Sequence, residues 1–271
     1  MTAKRILRVV CGSILCAVFA AGVFAGSLTH YSYALQFRET PNAAPSTLHP
    51  MGTDSLGRDL LARLAYGTRV SLLLAPAAAL LATLIAGLFG GVAGLAGGWS
   101  EKVILSAADL SMALPLLFVL IALRALLPLD ISPVVSVIVT FLTLGVLGWP
   151  ASLRVVWAAT RSLRNADFLL LARAGGCAPK RILLRHVMPN LRPVLFAQFW
   201  ISVPLFILAE ATLSMLGLGV MEPLPSWGNL LKGLENFSAV RANPLLLSPL
   251  LLLVLVVICF QLILPAQEEL R

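Results

Sequence analysis

The sequence predicts an all-α membrane protein with about six transmembrane helices. Its 271 residues are 59% hydrophobic and 12% charged, whereas charged residues make up about 25% of an average soluble domain. Apolar runs of about 20 residues, the length that crosses a bilayer as a helix, recur along the chain. No segment between them is long and polar enough to predict a separate soluble domain.

Six stretches fit such a span. Four contain no charged residue, the third contains Asp109 and Arg124, and the fifth contains Glu210 alone. In chain order the six predicted spans are Val9–Leu28, Val70–Ser100, Val103–Leu129, Ile131–Leu153, Pro193–Met221 and Ala242–Gln267.

The N-terminus combines basic residues with an apolar run. This pattern is shared by signal peptides and by membrane helices that begin in the cytoplasm. Residues 23–25 would form an acceptable cleavage site, but a run of about 20 residues is longer than the usual apolar core of a signal peptide. We therefore expect an uncleaved first helix. The chain then divides into that helix with an external segment, residues 1–68, and a five-helix core, residues 69–271.

The second predicted span is rich in glycine. Glycines four residues apart leave a smooth helix face, on which another membrane helix can approach closely. Packing within the chain and a subunit interface both agree with this pattern. The glycines expected to take part are Gly87, Gly91, Gly94 and Gly98.

The segment between the fourth and fifth predicted spans is strongly basic. From Arg154 to Arg192 it carries eight of the twenty Lys and Arg residues and one acid, Asp167. Because Lys and Arg in short loops resist translocation, this segment is expected in the cytoplasm. Counting helices gives the same side and a cytoplasmic C-terminus. The pI of 9.9 then reflects this bias and an attraction to anionic membrane lipid, and not binding to nucleic acid.

Residues 165–193, called the basic loop below, predict two short helices and a turn. Ala172 and Ala174 are small and expected to be exposed, which would let another protein approach. Gly176 can adopt the positive φ that ends a helix. If the two helices are held rigidly on membrane helices, they can transmit a push; the alternative is a solvated basic loop. A cationic stripe is predicted on the second helix: Lys180, Arg181 and Arg185.

Prolines are expected to act differently in the spans and in the basic loop. Four lie inside predicted spans, where neighbouring helices can satisfy the freed carbonyl groups. Pro189 is expected to end the second helix of the basic loop before the fifth span begins. The four in spans are Pro76, Pro115, Pro204 and Pro249.

Residues typical of catalysis or metal binding are sparse. The sequence contains no phosphate-binding P-loop, no HExxH and no GxSxG motif, and its three histidines are far apart. Glu210 is an ionisable residue near the middle of a predicted span, with Ser214 on the same helix face. It either lines a polar path or acts as a structural strut by hydrogen bonding.

Three segments resemble one family. In the basic loop, Ala172-Arg173-Ala174, Gly176 and Val187-Met188-Pro189-Asn190 resemble an EAA sequence, a glycine and a hydrophobic-Leu-Pro triplet, with Leu170 and Leu171 replacing the usual Glu and an Ala. Residues 49–59 (HPMGTDSLGRD) precede the second span, and residues 210–229 contain EATLSMLGLGV and PSWGN. Together they resemble membrane subunits of binding-protein-dependent ABC importers of the dipeptide, oligopeptide and nickel branch, and most of all the C-type member of the peptide permease pair.

The resemblance implies a type I ABC importer transmembrane domain with a cytoplasmic coupling loop at about residues 160–193. It implies a non-catalytic, cofactor-free and metal-free subunit in a bacterial inner membrane. Its partners would be a sister permease in a hetero- or homodimer, two cytoplasmic ATPases that bind ATP and Mg²⁺, and an external solute-binding protein. The residues that would dock an ATPase are Ala172, Arg173, Ala174, Gly176, Lys180, Arg181, Arg185, Pro189 and Asn190.

The function implied is transport of di- or oligopeptides, with this chain forming half of the translocation path. Nickel chelates or another small polar solute are an alternative cargo. A membrane-embedded enzyme would use Glu210 as acid or base and need a second catalytic group at depth, which the sequence does not offer. An ion-coupled transporter would need several acids in the spans and an internal repeat, and neither is found in the sequence.

Overall fold

The computed structural model describes residues 3–126 and 132–263, and within these ranges every regular element is helical. Two isolated bridges in the segment before the second span, Gln36 with Arg58 and Thr53 with Asp59, do not extend into strands. The helices are α1 Ala3–Val23, α2 Ala25–Leu28, α3 Leu60–Ala96, α4 Gly98–Ala113, α5 Leu116–Leu126, α6 Pro133–Leu147, α7 Trp149–Leu163, α8 Asp167–Ala174, α9 Pro179–Ile182, α10 Met188–Met215, α11 Trp227–Leu231, α12 Phe237–Ala242 and α13 Ser248–Ile263.

Five continuous helical stretches of the described residues are long and apolar enough to cross a membrane. They correspond to the first, second, fourth, fifth and sixth predicted spans, and the predicted all-α membrane class is confirmed. The stretches are Arg5–Val23, Leu60–Ala96, Pro133–Leu163, Pro179–Met215 and Pro244–Ile263.

The third predicted span, Val103–Leu129, is divided between α4 and α5. The chain breaks at Leu114, whose φ of −80° and ψ of 118° are extended. Pro115 explains the break, because a proline ring disfavours the helical conformation of the residue before it. The last three residues of this predicted span, 127–129, lie outside the described residues.

The described chain forms two compact units. One gathers the described parts of Met1–Ala75, Arg124–Phe141 and Pro204–Arg271, and the other gathers Pro76–Leu123 and Leu142–Val203. Two of the boundaries fall at Pro76 inside α3 and at Pro204 inside α10, where each proline removes one backbone hydrogen bond.

Close packing in the second unit depends on glycines of α3. A Cβ at Gly94 would lie 2.6 Å from Cβ of Thr160 in α7, so only glycine allows this approach. Gly87 faces Leu195 of α10 in the same way, because a Cβ at Gly87 would lie 3.1 Å from Cδ2 of Leu195. Gly91 packs against Leu183 and Met188, whereas a Cβ at Gly98, the first residue of α4, would meet nothing within 4 Å.

Pro189 does not end a helix, so the expectation for this residue was wrong. The helix runs without a break from Pro179 to Met215. A π-helical turn at Leu183–Val187 explains how it accommodates the proline. This turn widens the backbone just before Pro189, where the ring would otherwise collide with the carbonyl four residues earlier. Asn190 Nδ2 donates to the His186 carbonyl at 2.6 Å, which satisfies one acceptor in this region.

Candidate functional site

The first helix of the basic loop, α8, ends in a Schellman turn built around Gly176. The φ of Gly176 is +73°, a conformation that a residue with a Cβ adopts only with strain. The Cys177 N–H donates to the Ala172 carbonyl at 3.1 Å, and the Gly176 N–H donates to the Arg173 carbonyl at 3.0 Å. These two bonds close the helix end and reverse the chain toward α9.

A buried apolar cluster fixes both helices of the basic loop. Leu169 of α8 and Ile182 of α9 are buried together with Val187, Leu191 and Val156 of α7. Because interiors pack closely, side chains that share one core do not move independently. The basic loop is therefore held on α7 and on the start of the 179–215 helix.

The outer side of the basic loop carries the predicted cations. Arg173, Lys180, Arg181 and Arg185 are all exposed, as are Ala174 and Asn190. Ala172 differs from the expectation: it is half-buried and packs against the apolar cluster. The reason is that Ala172 lies three residues after Leu169, on the same side of α8.

Exposed apolar side chains lie among these cations, and the sequence reasoning did not single them out as a surface. Leu171 is 72% exposed and Leu170 is 47% exposed, and Phe168 is also exposed. The available signal was the replacement of the expected Glu and Ala by two leucines. Apolar groups exposed on a surface mark contact with a membrane or another protein when they are contiguous.

Glu210 is fully buried in α10, within the first unit. Ser214 Oγ donates to Glu210 Oε1 at 2.6 Å and accepts from the Val220 N–H at 3.1 Å. The second carboxyl oxygen of Glu210, Oε2, has no hydrogen-bond partner among the described residues, although Ser226 and Gly228 lie close to the carboxyl group. The arrangement joins α10 to the chain that follows it.

The segment after α10 folds back onto the same region. Ser226 and Asn229 form a capping box, with Ser226 N–H donating to Asn229 Oδ1 at 2.7 Å and Asn229 N–H donating to Ser226 Oγ at 3.3 Å. Trp227 is fully buried, and its Nε1 donates to Thr68 Oγ1 at 3.0 Å. A Cβ at Gly228 would lie 2.5 Å from Cβ of Ser214, so only glycine fits there. The residues PSWGN thus lie against α3 and α10 in the first unit.

An ion-pair network with two buried arginines, Arg58 just before α3 and Arg63 in its first turn, holds this region to the segment after α10. Arg63 donates through Nη2 to Glu222 Oε1 at 2.8 Å and through Nη1 to Oε2 at 3.1 Å. Arg58 donates to the same Oε2 at 2.6 Å and, through Nε, to Asp54 Oδ2 at 2.7 Å. A second pair joins His49 Nδ1 to Asp59 Oδ2 at 2.9 Å. Sequence reasoning missed this network, because residues about 160 positions apart carry no local signal of their pairing.

The family model described as "Binding-protein-dependent transport system inner membrane component" matches residues 70–269. The chain is 36% identical to a putative peptide permease of Brucella suis over 203 residues, 75% of this chain and 65% of the relative. It is 31% identical to the oligopeptide transport system permease protein OppC of Bacillus subtilis over 217 residues, 80% of this chain and 69% of the relative.

A third relative is matched over more of its length. The chain is 34% identical to OppC of Escherichia coli over 253 residues, 92% of this chain and 80% of the relative. The match to the Brucella suis protein, by contrast, spans slightly less than two thirds of that relative. Since the family model covers most of the chain, including the greater part of α3 and all of α7, the basic loop and α10, this chain belongs to the family of binding-protein-dependent transport system inner membrane components.

Proposed function

We propose that this chain is a transmembrane permease subunit of an ATP-driven importer. It forms half of a translocation path for dipeptides or oligopeptides and couples to cytoplasmic ATPases through the basic loop. The observation that carries the proposal is the buried cluster of Leu169, Ile182 and Val187, on which both loop helices pack. A loop fixed in this way moves with α7 and α10 when a partner pushes on it, whereas a loose loop would absorb the push.

The names of the relatives support a peptide cargo. Those described above are named as peptide or oligopeptide permeases, and a further relative, 35% identical over 215 residues, is the dipeptide transport system permease protein DppC of Bacillus subtilis. These names favour peptides over nickel chelates or another small solute.

An importer subunit of this kind requires partner proteins. We propose a sister permease, two cytoplasmic ATPases that bind ATP and Mg²⁺, and an external solute-binding protein. The chain itself has no catalytic step and binds no cofactor. The excess of Lys and Arg supports a cytoplasmic basic loop. In this proposal both termini also lie in the cytoplasm of a bacterium, and the chain lies in its inner membrane.

The docking surface is the exposed side of the basic loop. Its cations offer charge for steering and for specificity, while Leu170 and Leu171 offer apolar area that a partner can bury. Ala174 and Gly176 leave the surface flat at the turn between the helices. Pro189 and Asn190 contribute by shaping the backbone that follows the π-helical turn.

Glu210 serves in this proposal as a structural acceptor rather than as a group in the path. It is fully buried, and its Oε1 accepts from Ser214, which in turn accepts from the Val220 backbone. This chain of bonds links α10 to the segment that follows it.

The test uses Arg173→Glu in the full chain, expressed at its native level in its own host. The charge reversal falls on an exposed helix position, so the chain should remain in the membrane at normal levels. We expect loss of the ATPases from material purified in mild detergent and loss of peptide uptake.

Arg38→Glu is the matched control, because Arg38 is exposed and lies outside the basic loop. This variant should retain the ATPases. Normal ATPase recovery and uptake with Arg173→Glu would refute the docking role. Wild-type chain that purifies intact and alone would refute the importer assignment as a whole.

A further inference from the structure

A cavity of about 660 Å³ lies within the second unit, beside the basic loop. Its floor is apolar and comes from the last turns of α3 and the start of the 179–215 helix: Val92, Leu95, Ile182 and Leu183. The charged residues that line the cavity are all cationic: Arg164, Arg173 and Lys180. Cys177 also lines the cavity and is half-buried.

The three cations of this cavity lack acidic partners. Within residues 3–126 and 132–263, none of them lies within 4.0 Å of a carboxylate. Nearby arginines of α7 differ, since Arg154 pairs with Asp109 and Arg161 with Glu101. The cavity therefore has an unneutralised positive rim, which favours an anionic occupant.

The position of the cavity indicates a membrane surface. The helix α3 has 37 residues, about 55 Å at 1.5 Å per residue, which exceeds the roughly 30 Å of bilayer hydrocarbon. Directly after its end come Trp99, which is 81% exposed, and the charged Glu101 and Lys102. Tryptophan and charged groups are typical of the headgroup level.

Only an amphiphile satisfies both parts of the cavity. A soluble anion such as phosphate would neutralise Lys180 and Arg173 but leave the apolar floor against water. A neutral lipid would cover the floor but leave the cations unpaired. An anionic phospholipid places its phosphate on the rim and the first carbons of its chains against Leu95 and Leu183, and the volume lies in the range of known ligand pockets.

We propose that this cavity binds the headgroup region of an anionic phospholipid. The bound lipid covers Arg173 and Lys180, which also belong to the docking surface, and leaves Arg181, Arg185, Leu170 and Leu171 exposed. The proposal does not depend on ATPase docking, so it can be tested on the full chain alone.

The test follows alkylation of Cys177 by N-ethylmaleimide, resolved from the other cysteines by peptide mass spectrometry. The full chain is reconstituted in nanodiscs of phosphatidylcholine, with or without phosphatidylglycerol. A lipid headgroup in the cavity covers the thiol, so phosphatidylglycerol should slow its alkylation several-fold. Lys180→Gln should weaken this protection roughly fivefold, which is the expected loss for one basic group near an anionic surface.

Two further variants separate a site from a general surface charge. Arg181→Gln removes the same charge from the neighbouring residue, which does not line the cavity, and should keep full protection. Leu95→Trp fills the apolar floor and keeps all charges, and should abolish the difference between the two lipid mixtures.

Equal protection in Lys180→Gln and Arg181→Gln would overturn the proposal, as would no protection in the wild type. Inorganic phosphate is added to the phosphatidylcholine nanodiscs as a third arm. Protection by phosphate alone would assign the cavity to a soluble anion and would likewise overturn the lipid assignment.

Discussion

Arginines occupy opposite environments in the basic loop and at the start of α3. Arg173 and Arg185 are exposed and face no carboxylate among the described residues, whereas Arg63 is 2% exposed and donates twice to Glu222. Removing a charge from water is costly unless a partner compensates it. Paired arginines therefore hold this fold together, and unpaired ones remain available to another molecule.

The largest expected effect comes from Arg63→Ala. It leaves Glu222 with Arg58 alone and opens a space within the ion-pair network. Breaking a buried ion pair costs about 3–5 kcal/mol, and because Glu222 is 47% exposed we expect about 2–4 kcal/mol. Thermal unfolding of the purified chain in detergent measures this loss.

The matched control for that loss is Arg185→Ala in the basic loop, where the side chain is exposed. Its effect on unfolding should stay within about 0.5 kcal/mol, as for most surface changes. Equal destabilisation by the two variants would break the contrast between the two regions.

An intermediate effect is expected for Gly176→Asp. At a φ of +73° an aspartate is strained, which should cost about 1 kcal/mol. The larger consequence is a displaced turn and a new negative charge among the cations of the basic loop, so peptide uptake should be lost while the chain stays in the membrane.

The control is Ala178→Asp, which adds the same charge to the basic loop at an exposed position with a negative φ of −60°. This control should retain more uptake than Gly176→Asp. Normal uptake with Gly176→Asp would contradict the importance of the turn.

Sequence reasoning located five of the six spans as continuous helices, and the helix turn of the basic loop, because hydrophobic runs and a glycine after a short helix are local signals. It placed Pro76 and Pro204 inside helices, as the structure has them. It did not predict that Pro115 divides a span or that Pro189 is accommodated by a π-helical turn. In a membrane protein the neighbouring helices decide which carbonyl groups can be satisfied, and the sequence does not state those neighbours.

The same limit applies to the candidate site. The exposure of the loop cations followed from their spacing, but the burial of Ala172 depended on the cluster beneath it. The pairing of Arg58 and Arg63 with Glu222 depends on contacts between distant parts of the chain. Long-range pairing is therefore the part of this molecule that required a structure.

Apart from the controls, the smallest effect is expected for Glu210→Gln. The amide keeps an oxygen that can accept from Ser214 Oγ, so the link to the Val220 backbone is preserved. Since the side chain is fully buried, a neutral amide of similar size fits the same site. We expect a change in unfolding free energy below about 1 kcal/mol and substantial remaining uptake. Glu210→Ala, which removes the acceptor of the buried Ser214 hydroxyl, should cost about 1–3 kcal/mol. Complete loss of uptake in Glu210→Gln with normal assembly would instead assign Glu210 a charged role in the path.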